Sequence, residues 1–95
     1  MVIWQYKLNV GHLATTMMEL KTGSKLLSCQ MQGDELCAWF LVNDGVTATG
    51  QRYFTVVGTG HGLDHRIDPE RFICTVQEPP YVWHVFETTW RKDKP

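Results

Sequence analysis

An excess of charge of either sign is missing from the 95-residue chain: nine basic residues stand against ten acidic ones, a formal net charge of −1. A nucleic-acid polymer is held largely through a basic surface, so no DNA or RNA partner is expected. The longest basic cluster, Arg91-Lys92-Asp93-Lys94, is interrupted by an acid and followed by Pro95. It reads as part of a flexible C-terminal tail over 89–95. Long apolar runs are also missing, none approaching the ~20 residues that span a bilayer, so no membrane partner is expected. The opening stretch Met1 to Lys7 has neither a basic n-region nor an apolar h-region, which predicts no secretory leader. Cysteine pairs at C-x-x-C spacing are absent. Cys29, Cys37 and Cys74 each sit inside an apolar run, where a thiol behaves as a small hydrophobe. No disulfide framework and a reducing, cytoplasmic setting are expected.

What is present is a folding composition, 43% hydrophobic and 20% charged, enough for one small β domain over 1–88. Val2, Trp4, Tyr6, Leu8 and Val10 recur at period two, the pattern of a half-buried strand, with Ile3 the exception. Thr15 to Leu20 reads as a short strand, although Met17-Met18-Glu19 would also tolerate a helix. Lys25 to Gln32 and Leu36 to Asn43 form a hairpin. Its Gly33 stands first in a two-residue loop, the place where a type II′ turn needs positive φ. In that register Leu27 opposes Phe40, Cys29 opposes Ala38 and Met31 opposes Leu36, which puts Cys29 and Cys37 on opposite faces. The second hairpin strand is apolar on both faces and is expected to be central. Arg52 to Val57, Arg71 to Val76 and Tyr81 to Thr88 supply three more strands, and Asp68-Pro69-Glu70 starts one helical turn. The pattern predicts an all-β fold: a single small sandwich or partly open barrel of about seven short, mainly antiparallel strands.

One segment carries a local mechanism. In Val57-Gly58-Thr59-Gly60-His61-Gly62 a strand runs into a glycine-rich loop, whose backbone N–H groups can turn toward an anion while Thr59 and His61 add side-chain donors. It lacks the continuation of a dinucleotide fingerprint and the Lys-Ser/Thr of a P-loop, and a plain turn between strands is the competing explanation. His61 and His65 stand four apart, but that spacing aligns two metal ligands only on a helix, and glycines flank His61; no metal site and no cofactor are expected. No catalytic set is assigned, since Cys74 lies inside a strand and a His61–His84 hydrolytic pair rests on type alone. Most aromatics are expected in the core. In Tyr81-Val82-Trp83-His84-Val85-Phe86-Glu87 both faces are mixed, so a buried His84 needs a hydrogen-bond partner.

Taken together, Trp4-Gln5-Tyr6, Leu27 to Gln32, Cys37 to Val42, Phe54 to His61 and Val82 to Glu87 make the chain resemble, over residues 4–87, a family of short phage and bacterial proteins described as a domain of unknown function. That family often carries a proline after the leucine matched by Leu20; Lys21 stands here, which loosens only that turn. The resemblance implies a free-standing protein of phage or mobile-element origin, and it carries no activity from which a catalytic residue could be transferred.

Three classes of function are therefore expected in this order. The first is a non-enzymatic binder that sequesters a small nucleotide-like ligand, with Gly58, Thr59, Gly60, His61, Trp83, His84 and Trp4 as candidate contacts. The second is an interaction protein that docks on and inhibits or modulates a host enzyme. The third is a small histidine-dependent phosphodiesterase. A 95-residue β-protein with open sheet edges gains stability by burying an edge against a copy of itself, so a homo-oligomer, most simply a symmetric dimer, is expected. Light scattering at micromolar concentration should report at least twice the chain mass, and a monomer would contradict this.

Overall fold

The computed structural model describes residues 1–89; of the tail expected over 89–95, residues 90–95, Trp90 among them, lie outside that range. Seven antiparallel strands are arranged in two sheets. β1 (Val2–Leu8), β4 (Glu35–Val42) and β3 (Lys25–Gln32) form a three-stranded sheet in the order β1-β4-β3. β2 (Ala14–Lys21), β5 (Thr49–Gly58), β7 (Tyr81–Thr88) and β6 (Phe72–Glu78) form a four-stranded sheet in the order β2-β5-β7-β6. The sheets do not close into a barrel, so of the two expected architectures the sandwich is the one adopted. The segment over 15–20 is a strand, because Met18 and Leu20 at period two both reach the core while Met17 and Glu19 face solvent. Pro69–Arg71 forms a single 3₁₀ turn, with the Asp68 carboxylate accepting from the Glu70 N–H. Among the described residues no helix is long and apolar enough to cross a membrane.

The hairpin turn has Gly33 at φ 63°, as a type II′ loop requires. Cys29 pairs with Ala38 and Met31 with Leu36 as expected, but the expected Leu27–Phe40 pair does not form. A bulge between Leu26 and Ser28 gives Leu26 to Phe40 and leaves Leu27 45% exposed. The extra residue shifts the strand's parity by one, so Leu26 enters the core in place of Leu27. β4 is central, with Phe40, Ala38 and Leu36 facing the sandwich interior.

The interior is organised around aromatic edges. Tyr6 meets Phe40 with ring centroids 5.5 Å apart, and Phe40 meets Phe54 of the opposite sheet at 5.7 Å, both edge to face. The Arg52 guanidinium lies over these same two rings, 5.7 Å from Phe40 and 5.6 Å from Phe54. It donates to both Glu87 carboxylate oxygens at 2.8 and 2.9 Å and to the Ser24 carbonyl at 2.7 Å. A second, smaller core lies on the outer face of the four-stranded sheet. There Ile67, from the long connection between β5 and β6, packs with Val57 and Phe86 and against Leu13. Beside it a row of hydroxyls, the half-buried Thr15 and the buried Thr55 and Thr88, links three strands with Oγ1–Oγ1 separations of 3.0 Å.

Hydrogen bonding to Arg52 holds the Glu87 carboxyl below its ordinary value of 4.5, against the opposing effect of partial burial. A carboxyl that is more acidic in the folded chain contributes stability that is fully present above the unfolded value. That contribution is lost as pH falls below 4.5 through the depressed folded value. Glu87→Gln should lower stability at neutral pH by about 1–3 kcal/mol. It should also make the urea midpoint less dependent on pH below 4.5 than in the unmodified chain; an unchanged midpoint at pH 7 would show that the pair contributes nothing.

Candidate functional site

β5 leaves the four-stranded sheet at Gly58, and the chain then turns through Thr59, Gly60 and His61, with Gly60 at φ 92°. The turn is held by its own backbone. The Thr59 N–H donates to the Val82 carbonyl at 3.2 Å and the His61 N–H to the Gly58 carbonyl at 3.5 Å. The Gly58 N–H donates to His12 Nδ1 at 3.4 Å. These three amides, which the glycine pattern offered as anion donors, are therefore engaged within the protein.

Two imidazoles, His12 and His61, stack with ring centroids 4.0 Å apart and planes 18° from parallel. His12 comes from the segment before β2. With Ala14 opposite Val56 and Thr15 opposite Thr55, continuing the register carries residue 12 to the level of Gly58. Its neighbour Leu13 takes φ 64°, a left-handed conformation that reverses the chain into β2 while its N–H bonds the Val56 carbonyl at 2.7 Å. A second stacked pair, Tyr81 and Trp83, has centroids 5.6 Å apart and planes 25° from parallel, and the Trp83 indole N–H donates to Glu78 at 3.0 Å. The imidazole pair, the Tyr81–Trp83 pair, Gly58 and Thr59 line one concavity of about 360 Å³, completed by Pro80 and Val82.

His84 lies on the other side. β7 alternates, so Trp83 faces inward and His84 outward. Thr59 Oγ1 lies within hydrogen-bond distance of the Val82 carbonyl oxygen at 3.3 Å and of His84 Nε2 at 2.6 Å. His84 Nδ1 shares a hydrogen bond with the Thr75 hydroxyl at 3.0 Å. Both ring nitrogens thus have partners, the condition set for a partly buried histidine. His84 lines a second concavity of about 240 Å³ together with Leu63, Phe86 and the same Gly58–His61 loop. The loop beyond it is fixed by Asp64, whose carboxylate accepts from the Arg66 guanidinium at 2.9 and 3.0 Å and from its N–H at 2.9 Å. Those bonds, the side-chain ones foremost, hold the Asp64 carboxyl far below its usual range.

Of the residues expected to converge, Gly58, Thr59 and His61 border both concavities and Gly60 borders the one on the His84 side. Trp83 and His84 are separated by the sheet, one to each side. Trp4 belongs to neither: it pairs with Phe40 on edge strand β1 and remains 50% exposed. Sequence reasoning missed His12 and Tyr81, the first because its relevance depends on the β2–β5 register. His65, the other half of the four-residue histidine spacing, is almost wholly exposed beside Asp64. Among the described residues no three His, Cys, Asp or Glu side chains gather as a metal-binding group.

A family model described as Domain of unknown function (DUF7352) matches residues 1–94. No curated protein and no solved structure matches the chain.

A Cβ at Gly58 would stand 3.1 Å from His61 Cδ2 and 3.3 Å from Trp83 Cζ3, with no positive φ to strain. His61 is exposed and can yield. Gly58→Ala should therefore alter stability by less than about 1 kcal/mol while displacing the His61 ring. The His12 and His61 ring-proton shifts should move in the NMR spectrum; unmoved rings would show that Gly58 does not set the stack.

Proposed function

Since the chain belongs to that family, whose description names no activity, the functional reading rests on the site, and we propose that the protein is a non-enzymatic binder of a small, planar, anionic ligand of the nucleotide class. The observation that carries this reading is the pairing of two stacked ring systems, His12–His61 and Tyr81–Trp83, along one concavity of about 360 Å³. That volume lies within the range of small-molecule sites. Aromatic faces hold a base by stacking, worth about 1–3 kcal/mol for each base, without a basic surface. Imidazole N–H groups supply donors for phosphate oxygens, which suits a chain of net charge −1. In a phage setting such a protein sequesters a host nucleotide immune signal and keeps it from its receptor.

A second reading, docking on a host enzyme, is favoured by edge strand β1, where Ile3 is 61% and Trp4 50% exposed.

Calorimetry against cyclic nucleotides and ADP-ribose derivatives tests the first reading. Binding should be saturable, and the ligand should be recovered intact on denaturation. His61→Ala and Tyr81→Ala should each weaken it by roughly 1–3 kcal/mol, with little change in melting because both side chains are exposed. Absence of heat across the panel, with Trp4→Ala abolishing capture of a host protein, would replace it with the docking reading.

A further inference from the structure

The two sheets approach most closely at one side of the sandwich. There edge strands β3 and β6 come within 8 Å of each other, Cα to Cα, although they share no ladder. On these neighbouring edge strands Cys29 pairs with Ala38 and Cys74 with Val85, both core positions, so both cysteines point into the interior along this seam: Cys29 is a member of the main core and Cys74 packs against it. Each thiol alters the acidity of the other. Cys74 is half-buried rather than enclosed as its apolar run predicted, because β6 has a neighbour on one side only. Cys37 takes no part. It lies on the opposite face of its sheet, with Sγ 3.0 Å from Gln5 Nε2 and 3.9 Å from the Glu35 carbonyl oxygen.

We propose that Cys29 and Cys74 are an oxidation site at which a reversible disulfide fastens the two sheets together. The two thiols differ in the way such a reaction requires. Hydrogen bonding from Cys29 lowers Cys74, while the same interaction and burial raise Cys29. The more accessible Cys74 is therefore the attacking thiolate and the enclosed Cys29 the resolving thiol. The oxidant is a low-molecular-weight disulfide. Cys74 loses its proton and its sulfur attacks one sulfur of the oxidant, forming a mixed disulfide and expelling the first small thiolate. Cys29 then loses its proton and attacks the Cys74 sulfur, expelling the second. Two electrons pass to the oxidant, and the two protons released by the cysteines complete two small thiols. Under a reducing poise the pair is the dithiol, so the link adds to a fold that is already formed.

Oxidised glutathione is the probe. After incubation of the folded chain and quenching, thiols titrated in denaturant should fall from three to one. Intact mass should show the loss of two hydrogens, and peptide mapping should join the Cys29 and Cys74 peptides. Closing so long a loop should raise the melting temperature on the order of 10 °C, a gain reversed by dithiothreitol. Cys37→Ser should oxidise in the same way and leave no titratable thiol. Three persistent thiols, a glutathione adduct that remains on Cys74, or a disulfide joining two chains would each overturn the proposal.

Discussion

A half-buried guanidinium at the margin of an apolar sandwich must find acceptors for its donors, and Arg52 does so by recruiting both sheets. Its planar face rests on Phe40 and Phe54, one ring from each sheet, and its edge bonds Glu87 on β7 and the Ser24 carbonyl before β3. Three strand positions and one turn are thereby referred to a single rigid group. The register of β5 against β7 follows from it, since a shift of one residue would turn Arg52 to the outer face and strand Glu87 unpaired. The loop after β5 inherits that register: Gly58 stands opposite Trp83 because Phe54 stands opposite Glu87. The candidate site is thus positioned from the far end of the same strand.

Most of the architecture was legible because strand periodicity is local. Thr15 to Leu20, Arg52 to Val57 and the run from Leu36 to Val42 could be read as strands in the sequence, and each is a strand that sends Met18 and Leu20, Phe54 and Val56, or Leu36, Ala38, Phe40 and Val42 into the core. The exceptions have a common physical cause. Leu26 and Leu27 are adjacent and chemically equivalent, so nothing local decides which enters the core; the bulge does, and a bulge is a relation between strands. Cys74 looked enclosed because its neighbours are apolar, yet exposure at a sheet edge depends on strand order, which periodicity does not encode.

The site was legible in part, and along the same divide. The glycine spacing located the loop, and the mixed faces of β7 correctly separated Trp83 from His84. The stack of His12 on His61 could not be read, because it joins residues far apart in sequence through the β2–β5 pairing and the left-handed Leu13. Nor do glycines declare where their amides point. The Thr59 and His61 N–H groups close the turn on Val82 and Gly58, so both amides are engaged within the protein.

The loop from Gly58 to His61 is a partition with an occupiable space on either side. Thr59 touches His84 on one side, while His61 leans on His12 on the other. A body seated in one space that displaces this partition alters the shape of the other, and the free energy of that coupling is the same in both directions. Two dissimilar occupants would therefore sense each other across a single turn of chain, by help or by exclusion, with no movement of the sheets beneath.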